Sequence, residues 1–125
     1  MERVTGIGGV FFKARDPQHT LAWYREHLGI NVPEGETYCD FPWRGADTDQ
    51  TPGRTAWAVF AQDSDYFGAS GQTFMLNFRV ANMDRMLDQL RRANIRIIKT
   101  EDYDYGRFAW IDDPEGNRIE LWEPR

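Results

Sequence analysis

The chain has 125 residues, a formal net charge of −5 and a single cysteine. This length is typical of one domain that buries its own hydrophobic core, so residues 1–125 are treated as one domain. The acidic balance argues against nucleic-acid binding, which needs a basic surface. No apolar run is long enough to span a membrane, and the lone Cys39 leaves no internal disulfide. We therefore expect a soluble cytoplasmic domain that binds neither nucleic acid nor a membrane.

The first part of the chain predicts a strand followed by a helix. Residues 7–14 alternate between two faces as a strand does, with Phe11 on one face and Phe12 on the other. Asp16 precedes a proline and has the character of a helix N-cap. Gly29 is placed to end that helix in a left-handed conformation.

The region after the helix predicts three further extended segments, at residues 30–32, 37–41 and 55–61. Residues 43–53 are rich in Asp, Gly, Thr and Pro and predict an exposed loop. Residues 63–71 have similar character and predict a linker.

The same order then repeats. A shift of 66 residues, from position 10 to position 76, places Val10, Phe12, Asp16 and Leu21 on Leu76, Phe78, Asn82 and Leu87. Asn94 takes the helix-ending place of Gly29, one residue out of register. Extended segments are predicted at 96–100, 108–111 and 117–123. An internal repeat of strand parity, caps and helix spacing predicts an α+β fold of two tandem βαβββ modules, one about 4–62 and the other about 72–123.

The C-terminal strand contains an unusual carboxylate. A turn at residues 112–116 leads into a stretch where Ile119 and Leu121 lie on one face and Glu120 and Trp122 on the other. If this second face lines a concavity, Glu120 is a buried charge that requires a metal, a cation or a proton. If the face is exposed, Glu120 is an ordinary surface acid.

The chain resembles the vicinal oxygen chelate superfamily, which contains glyoxalase I, bleomycin resistance proteins and extradiol dioxygenases. The likeness lies in Asp16 with the run Leu21-Ala22-Trp23-Tyr24-Arg25-Glu26-His27-Leu28-Gly29, and in Val80, Asn82 and the run Asp113-Pro114-Glu115-Gly116-Asn117-Arg118-Ile119-Glu120-Leu121. The resemblance implies a curled mixed sheet around a cavity, one helix per module and frequent homodimers. It indicates the fold more specifically than the reaction.

The resemblance also implies a metal site built from the first and last strand of each module. On this sequence the four positions are Gly9, Trp57 (or Val59), Met75 and Glu120. Only Glu120 is a suitable ligand for a hard divalent ion, and one carboxylate does not hold such an ion. No cofactor is therefore predicted, and a divalent metal would require ligands from elsewhere.

Several side chains are predicted to share the concave face with Glu120. Phe11, Trp57, Met75 and Trp122 would form an aromatic and thioether wall for a flat or cationic ligand, or alternatively a filled core. Alternatively, Asn77 or Arg79 would pair with Glu120, so that the buried carboxylate would need no ligand. The predicted ligand-binding residues are Phe11, Trp57, Met75, Asn77, Arg79, Tyr105, Glu120 and Trp122, with Glu120 as the candidate catalytic group.

Other aromatic segments have two interpretations. Residues 103–108 predict a hairpin that shields its own edge or covers the mouth of the cavity. Trp43, Arg44, Tyr66 and Phe67 are expected in a lid or a dimer contact. His19 and His27 are expected in solvent, and Cys39 gives weak support for a catalytic thiol.

Three functions remain open from the sequence. The first is a metal-independent protein of the bleomycin-resistance type that binds a small aromatic or cationic molecule with Glu120 as its polar anchor. The second is a metal-dependent glyoxalase-like lyase or isomerase, or a dioxygenase, with ligands completed by other residues or by a dimer partner. The third is a non-catalytic structural module whose cavity is filled by its own side chains. A homodimer is expected in each case, because half-open sheets leave edges and aromatic surface to cover.

Overall fold

A computed structural model shows one mixed sheet with two helices, and it describes residues 1–44, 53–68 and 71–125. In these ranges the elements are β1 (Val4–Ala14), α1 (Pro17–Leu28), β2 (Tyr38–Trp43), β3 (Gly53–Ala61), β4 (Phe74–Val80), α2 (Met83–Arg92), β5 (Lys99–Tyr103), β6 (Gly106–Asp112) and β7 (Arg118–Pro124). The strand order is β2-β3-β1-β4-β7-β6-β5. The predicted α+β architecture is confirmed.

The two modules differ in one strand. The second module has the full βαβββ order, whereas the predicted strand at 30–32 is wrong. Val32 is buried there against Leu21 and Val59, and Arg25 Nε donates to the Val32 carbonyl oxygen over 2.6 Å. This apolar segment therefore packs beneath α1 and pairs with no strand of the described sheet.

The predicted loop 43–53 begins and ends inside strands, because Trp43 closes β2 and Gly53 opens β3. Its middle, residues 45–52, lies outside the described residues, as do 69–70 of the predicted linker. In the parts of the chain that the structure describes, neither helix is long and apolar enough to cross a membrane.

Both helices begin and end where the sequence indicates. The Asp16 side chain accepts from the His19 backbone N–H over 3.2 Å, and Asn82 does the same for Arg85 over 3.0 Å. Gly29 ends α1 with a φ of 66°, and Asn94 follows α2 with a φ of 60°. The internal repeat thus extends to the caps that position the two helices.

The register of the strands assigns each side chain to a face of the sheet. Phe11 lies opposite Met75, and Asn77 lies opposite Glu120, so these side chains share one face. Val10, which lies opposite Trp57, is on the other face. That other face packs against the helices in two clusters, one around Leu21, Val32 and Val59 and one around Val80, Met83, Met86, Leu87, Ala109 and Leu121.

The face without helices carries the third core cluster. Phe11, Ala58, Phe67, Met75 and Trp110 are buried there. They form the floor beneath an open groove, and the candidate site lies in this groove.

Candidate functional site

A groove of about 890 Å³ lies on the helix-free face and crosses both modules. Strands β1, β2, β3, β4, β6 and β7 all contribute to it, because side chains alternate along a strand between its two faces. Its aromatic lining consists of Phe11, Tyr38, Phe60, Tyr105, Phe108 and Trp122. Its polar lining includes Asn77, Arg79 and Glu120, together with an exposed ion pair of Arg54 and Asp40. The groove therefore combines an aromatic lining with polar groups, of which Asn77 and Glu120 are buried.

The Glu120 carboxylate lies at the floor of the groove with 2% of the residue exposed. Three neutral groups donate to it. Tyr66 Oη is 2.7 Å from Oε2, Trp110 Nε1 is 3.0 Å from Oε2, and Asn77 Nδ2 is 2.8 Å from Oε1. Both carboxylate oxygens therefore have hydrogen-bond partners, as a buried charge requires.

Burial dominates the proton affinity of this carboxyl. Loss of hydration raises the pKa of Glu120 above its ordinary value, although the hydrogen bonds from Tyr66, Asn77 and Trp110 act in the opposite direction. Burial, and then the charge of Glu120, raise the pKa of the Tyr66 hydroxyl well above its ordinary range. Tyr66 therefore keeps its proton at neutral pH and acts as a hydrogen-bond donor.

Close backbone approach holds Asn77 in place. A Cβ added at Gly8 would overlap Asn77 Oδ1 and would also touch the Trp122 ring at Cε3, 3.0 Å away. Asn77 Oδ1 is buried and has no hydrogen-bond partner among the described groups. Glycine at position 8 thus makes the space in which Asn77 turns its amide nitrogen toward Glu120.

The structure brings most of the predicted ligand-binding residues together. Six of them line the groove: Phe11, Asn77, Arg79, Tyr105, Glu120 and Trp122. Met75 lies on the same face but is 1% exposed, so it belongs to the floor and not to the lining. Of the two neighbours that the sequence offered as partners for Glu120, Asn77 donates to it. Arg79 lies over the Trp122 ring, with its Cζ 5.9 Å from the ring centroid.

The prediction that Trp57 lies in the groove is wrong. It was predicted on the concave wall, but it lies on the helix-covered face, where its ring is 5.4 Å from that of Phe12 and 4.9 Å from that of Tyr24. Ala56 and Ala58 line the groove in its place. Because strand side chains alternate with a period of two, a shift of one residue in the expected register reverses the face predicted for every side chain of the strand.

The four positions at which the resemblance implies metal ligands do not fit a divalent ion. Gly9 offers no side chain, Trp57 points to the helices, and Met75 is a buried thioether. Glu120 already accepts three hydrogen bonds. Within residues 1–44, 53–68 and 71–125, no three His, Cys, Asp or Glu side chains come close enough together to hold an ion.

The sequence did not identify Trp110 and Phe60 as parts of the site, and it indicated Tyr66 only as a residue of a lid or a dimer contact. Trp110 lies two residues beyond Phe108 on the same strand, so strand parity could have assigned it to the face of Glu120. Tyr66 is separated from Glu120 by 54 positions and lies outside the helices and strands. No periodic pattern could have found that contact.

The remaining aromatic segments have definite places. Tyr103 ends β5 and Gly106 begins β6, so these residues form a hairpin, and Tyr105 at its tip also lines the groove. Phe67 is completely buried, whereas Trp43 packs over Gly6 and Gly53. Arg44 is exposed.

The other candidate reactive side chains lie away from Glu120. His19 and His27 are exposed. Burial, and to a lesser extent the charge of Asp40, raise the pKa of the Cys39 thiol, which disfavours the reactive thiolate.

Comparisons with known proteins agree with this architecture. A crystal structure of methylmalonyl-CoA epimerase from Mycobacterium tuberculosis is similar with a TM-score of 0.59 and 21% identity, covering 98% of this chain and 89% of that one. Methylmalonyl-CoA epimerase from Streptomyces coelicolor, in complex with 2-nitronate-propionyl-CoA, gives a TM-score of 0.65 and 18% identity, covering 98% and 99%. A structure described as NAD-dependent benzaldehyde dehydrogenase from Legionella pneumophila gives 0.61 and 20%, covering 94% and 98%. At these identities the likeness shows the fold alone.

No curated protein has a significantly similar sequence. The family model of the Glyoxalase/Bleomycin resistance protein/Dioxygenase superfamily matches residues 6–121, which is nearly the whole chain. The chain belongs to the Glyoxalase/Bleomycin resistance protein/Dioxygenase superfamily.

Proposed function

We propose that this chain is a metal-independent member of the superfamily that binds a small aromatic molecule in the groove. The observation that carries the proposal is an aromatic groove with a buried carboxylate at its floor and no cluster of metal ligands among the described residues. Concave apolar pockets with a few polar groups at fixed positions are the usual form of small-molecule sites.

The wall along β6 and β7 is suited to a flat ring. The Phe108 and Trp122 rings are nearly parallel, with an interplanar angle of 9° and centroids 6.3 Å apart. Phe108 and Trp110 are also close to parallel, at 19° and 6.1 Å. An aromatic ligand that lies against these rings would gain stacking energy in addition to burial of its apolar surface.

Glu120 serves as the polar anchor in this proposal. All three described donors to its carboxylate are neutral, so its ionised form keeps its negative charge. A ligand with a cationic group or a strong hydrogen-bond donor near this end of the groove would compensate that charge. The ligand is therefore expected to combine an aromatic body with a donor or cationic end.

Tryptophan fluorescence tests the proposal, because Trp110 and Trp122 both lie at the groove. We would titrate naphthalene-2-carboxamide as a neutral probe and 2-naphthylmethylammonium as a cationic probe. Saturable binding is expected, and Glu120→Gln should weaken the cationic probe more than the neutral one. Absence of saturable binding by either probe would refute the proposed function.

A matched pair of variants locates the binding. Phe108 is in the groove, whereas Phe41 is 46% exposed and lies opposite Thr55, on the other face of the sheet. Phe108→Leu should weaken both probes by about two- to tenfold, which corresponds to one lost aromatic pair. Phe41→Leu removes the same number of atoms outside the groove and should leave both affinities unchanged. Equal effects of the two variants would show that the probes bind elsewhere.

We further propose that the protein forms a homodimer through the exposed part of the helix-covered face. Ile7, Phe74 and Leu76 lie on this face of β1 and β4 and are 45%, 61% and 42% exposed. Contiguous apolar surface of this kind is typical of protein–protein contacts. A mass equal to one chain by light scattering at micromolar concentration would contradict the dimer.

A further inference from the structure

The Glu120 carboxylate already accepts a hydrogen bond from an aromatic hydroxyl of the protein itself. Tyr66 belongs to the segment after β3, and its hydroxyl donates to Glu120 Oε2 over 2.7 Å. The residue is nevertheless 39% exposed, whereas its neighbour Phe67 is completely buried. The segment is thus anchored by Phe67, and the Tyr66 ring is partly exposed with its hydroxyl directed to Glu120.

The surroundings of that ring have the shape of a phenol site. Phe60 stacks on the Tyr66 ring at 5.3 Å with an interplanar angle of 20°. Trp110 meets the ring edge-on at 6.2 Å and 90°, and its indole N–H donates to the same Glu120 oxygen. One face, one edge and one hydroxyl of the ring are therefore each recognised by a different side chain.

Replacement of Tyr66 by a ligand of the same chemistry would cost little. The exchange breaks one O–H···O⁻ hydrogen bond and one ring stack and forms one of each. Since the Tyr66 ring is partly exposed, rotation of its side chain toward solvent does not require Phe67 to leave the core. A ring without a donor could not make the exchange, because Oε2 of the buried carboxylate would lose a partner.

We propose that the Glu120 end of the groove is a phenol-recognition site, in which Tyr66 is the resident occupant and the hydroxyl-bearing ring of a small phenolic molecule displaces it. This inference rests on the proposed function and narrows its ligand class to phenols. Recognition comes from the carboxylate of Glu120, the ring of Phe60 and the indole of Trp110, and it requires no metal ion.

A cavity-creating variant tests the inference. Tyr66→Ala removes the resident ring, and 4-methylphenol matches the lost side chain, whereas 4-methylanisole has the same body but no hydrogen-bond donor. Calorimetry should show that Tyr66→Ala binds 4-methylphenol at least about tenfold more tightly than 4-methylanisole, the lower bound expected for one hydrogen bond to a charged acceptor. It should also bind 4-methylphenol more tightly than the unaltered protein does, because no side chain must be displaced. Tyr24→Ala removes a tyrosine ring from the helix-covered face, where it packs against Phe12 and Trp57, and it is the control.

Equal affinity of Tyr66→Ala for the two compounds would overturn the inference. If Tyr66→Ala does not fold, nuclear magnetic resonance of the unaltered protein decides the question. In that experiment 4-methylphenol should shift the Trp110 indole N–H resonance and 4-methylanisole should not, and the absence of this difference would overturn the inference.

The two proposals can fail separately. Binding of the naphthalene probes without a preference for the phenol would leave the proposed function standing and remove the phenol site. A phenol preference in Tyr66→Ala together with no binding of any aromatic compound by the unaltered protein would refute both the proposed function and the displacement of Tyr66.

Discussion

The hydrogen bond between Tyr66 and Glu120 provides the sharpest test of the buried network. Tyr66→Phe removes one oxygen atom and keeps the ring that stacks on Phe60. The carboxylate is then left with Asn77 and Trp110 as donors. Because Glu120 is only 2% exposed, water cannot readily replace the lost donor.

The magnitude follows from the charge and the burial of the two partners. A hydrogen bond to a charged group contributes about 1.5–3 kcal/mol. Trp110 still donates to the same Oε2 in the variant, so this oxygen keeps one partner, and we expect a loss of about 1–2 kcal/mol in the free energy of unfolding. For a chain of this size that loss lowers Tm by roughly 3–8 °C.

A second tyrosine offers a matched control. The Tyr103 hydroxyl donates to the Glu101 carboxylate, but the Glu101 side chain is 38% exposed and also forms an ion pair with Lys99. Urea unfolding at about pH 8, followed by tryptophan fluorescence, should therefore show a loss for Tyr66→Phe and no measurable change for Tyr103→Phe. Equal stability of the two variants would refute the view that the Glu120 network is dry and depends on Tyr66.

Three other changes probe the floor of the groove. Glu120 has a raised pKa in the folded state, so the folded protein binds this proton more tightly than the unfolded chain does. Stability should therefore fall as pH rises above the ordinary value of 4.5. Glu120→Gln should remove this part of the pH dependence from urea midpoints measured between about pH 5 and about pH 8. An unchanged slope in the variant would contradict the raised pKa. Gly8→Ala should lower the free energy of unfolding by about 1–3 kcal/mol, because the new methyl group overlaps Asn77 Oδ1, and calorimetric unfolding checks this. Phe67→Ala should cost about 3–5 kcal/mol in denaturant unfolding, whereas Phe41→Ala, at a site 46% exposed, should cost much less; similar losses would show that Phe67 is not the anchor.

The sequence predicted the fold well because the evidence for it is local and repeated. Asp16 and Asn82 are both N-caps, and Gly29 and Asn94 both adopt positive φ after their helices. Caps and turn glycines act over three or four residues, so their chemistry can be recognised without knowledge of tertiary contacts. The strand predicted at 30–32 is wrong because the apolar Val32 packs beneath α1. Hydrophobicity alone does not distinguish such packing from strand pairing.

The composition of the site was harder to predict because strand β3 is apolar on both faces. Trp57 and Val59 alternate with Ala56 and Phe60, so neither set is marked as solvent-facing, and the pattern does not say which set faces the helices. In β7 the alternation is informative, since Leu121 is clearly apolar and Glu120 is charged. The sequence therefore placed Glu120 correctly on the concave face and placed Trp57 on the wrong one.

The donors around Glu120 suggest how an aromatic ligand would be selected in the absence of a metal ion. A divalent ion binds a carboxylate through charge and through further anionic or imidazole ligands, and the described part of the chain brings no three such side chains together around an ion. The partners found instead are a phenol, an amide and an indole, all neutral donors. Asn77 and Trp110 are 2% and 1% exposed and are fixed by packing, whereas the phenol comes from a partly exposed residue outside the sheet. Because the exposed donor is the easiest one to replace, a ligand that reaches Glu120 should do so at the position of the Tyr66 hydroxyl, and a donor on an aromatic ring is the group that best matches what it displaces.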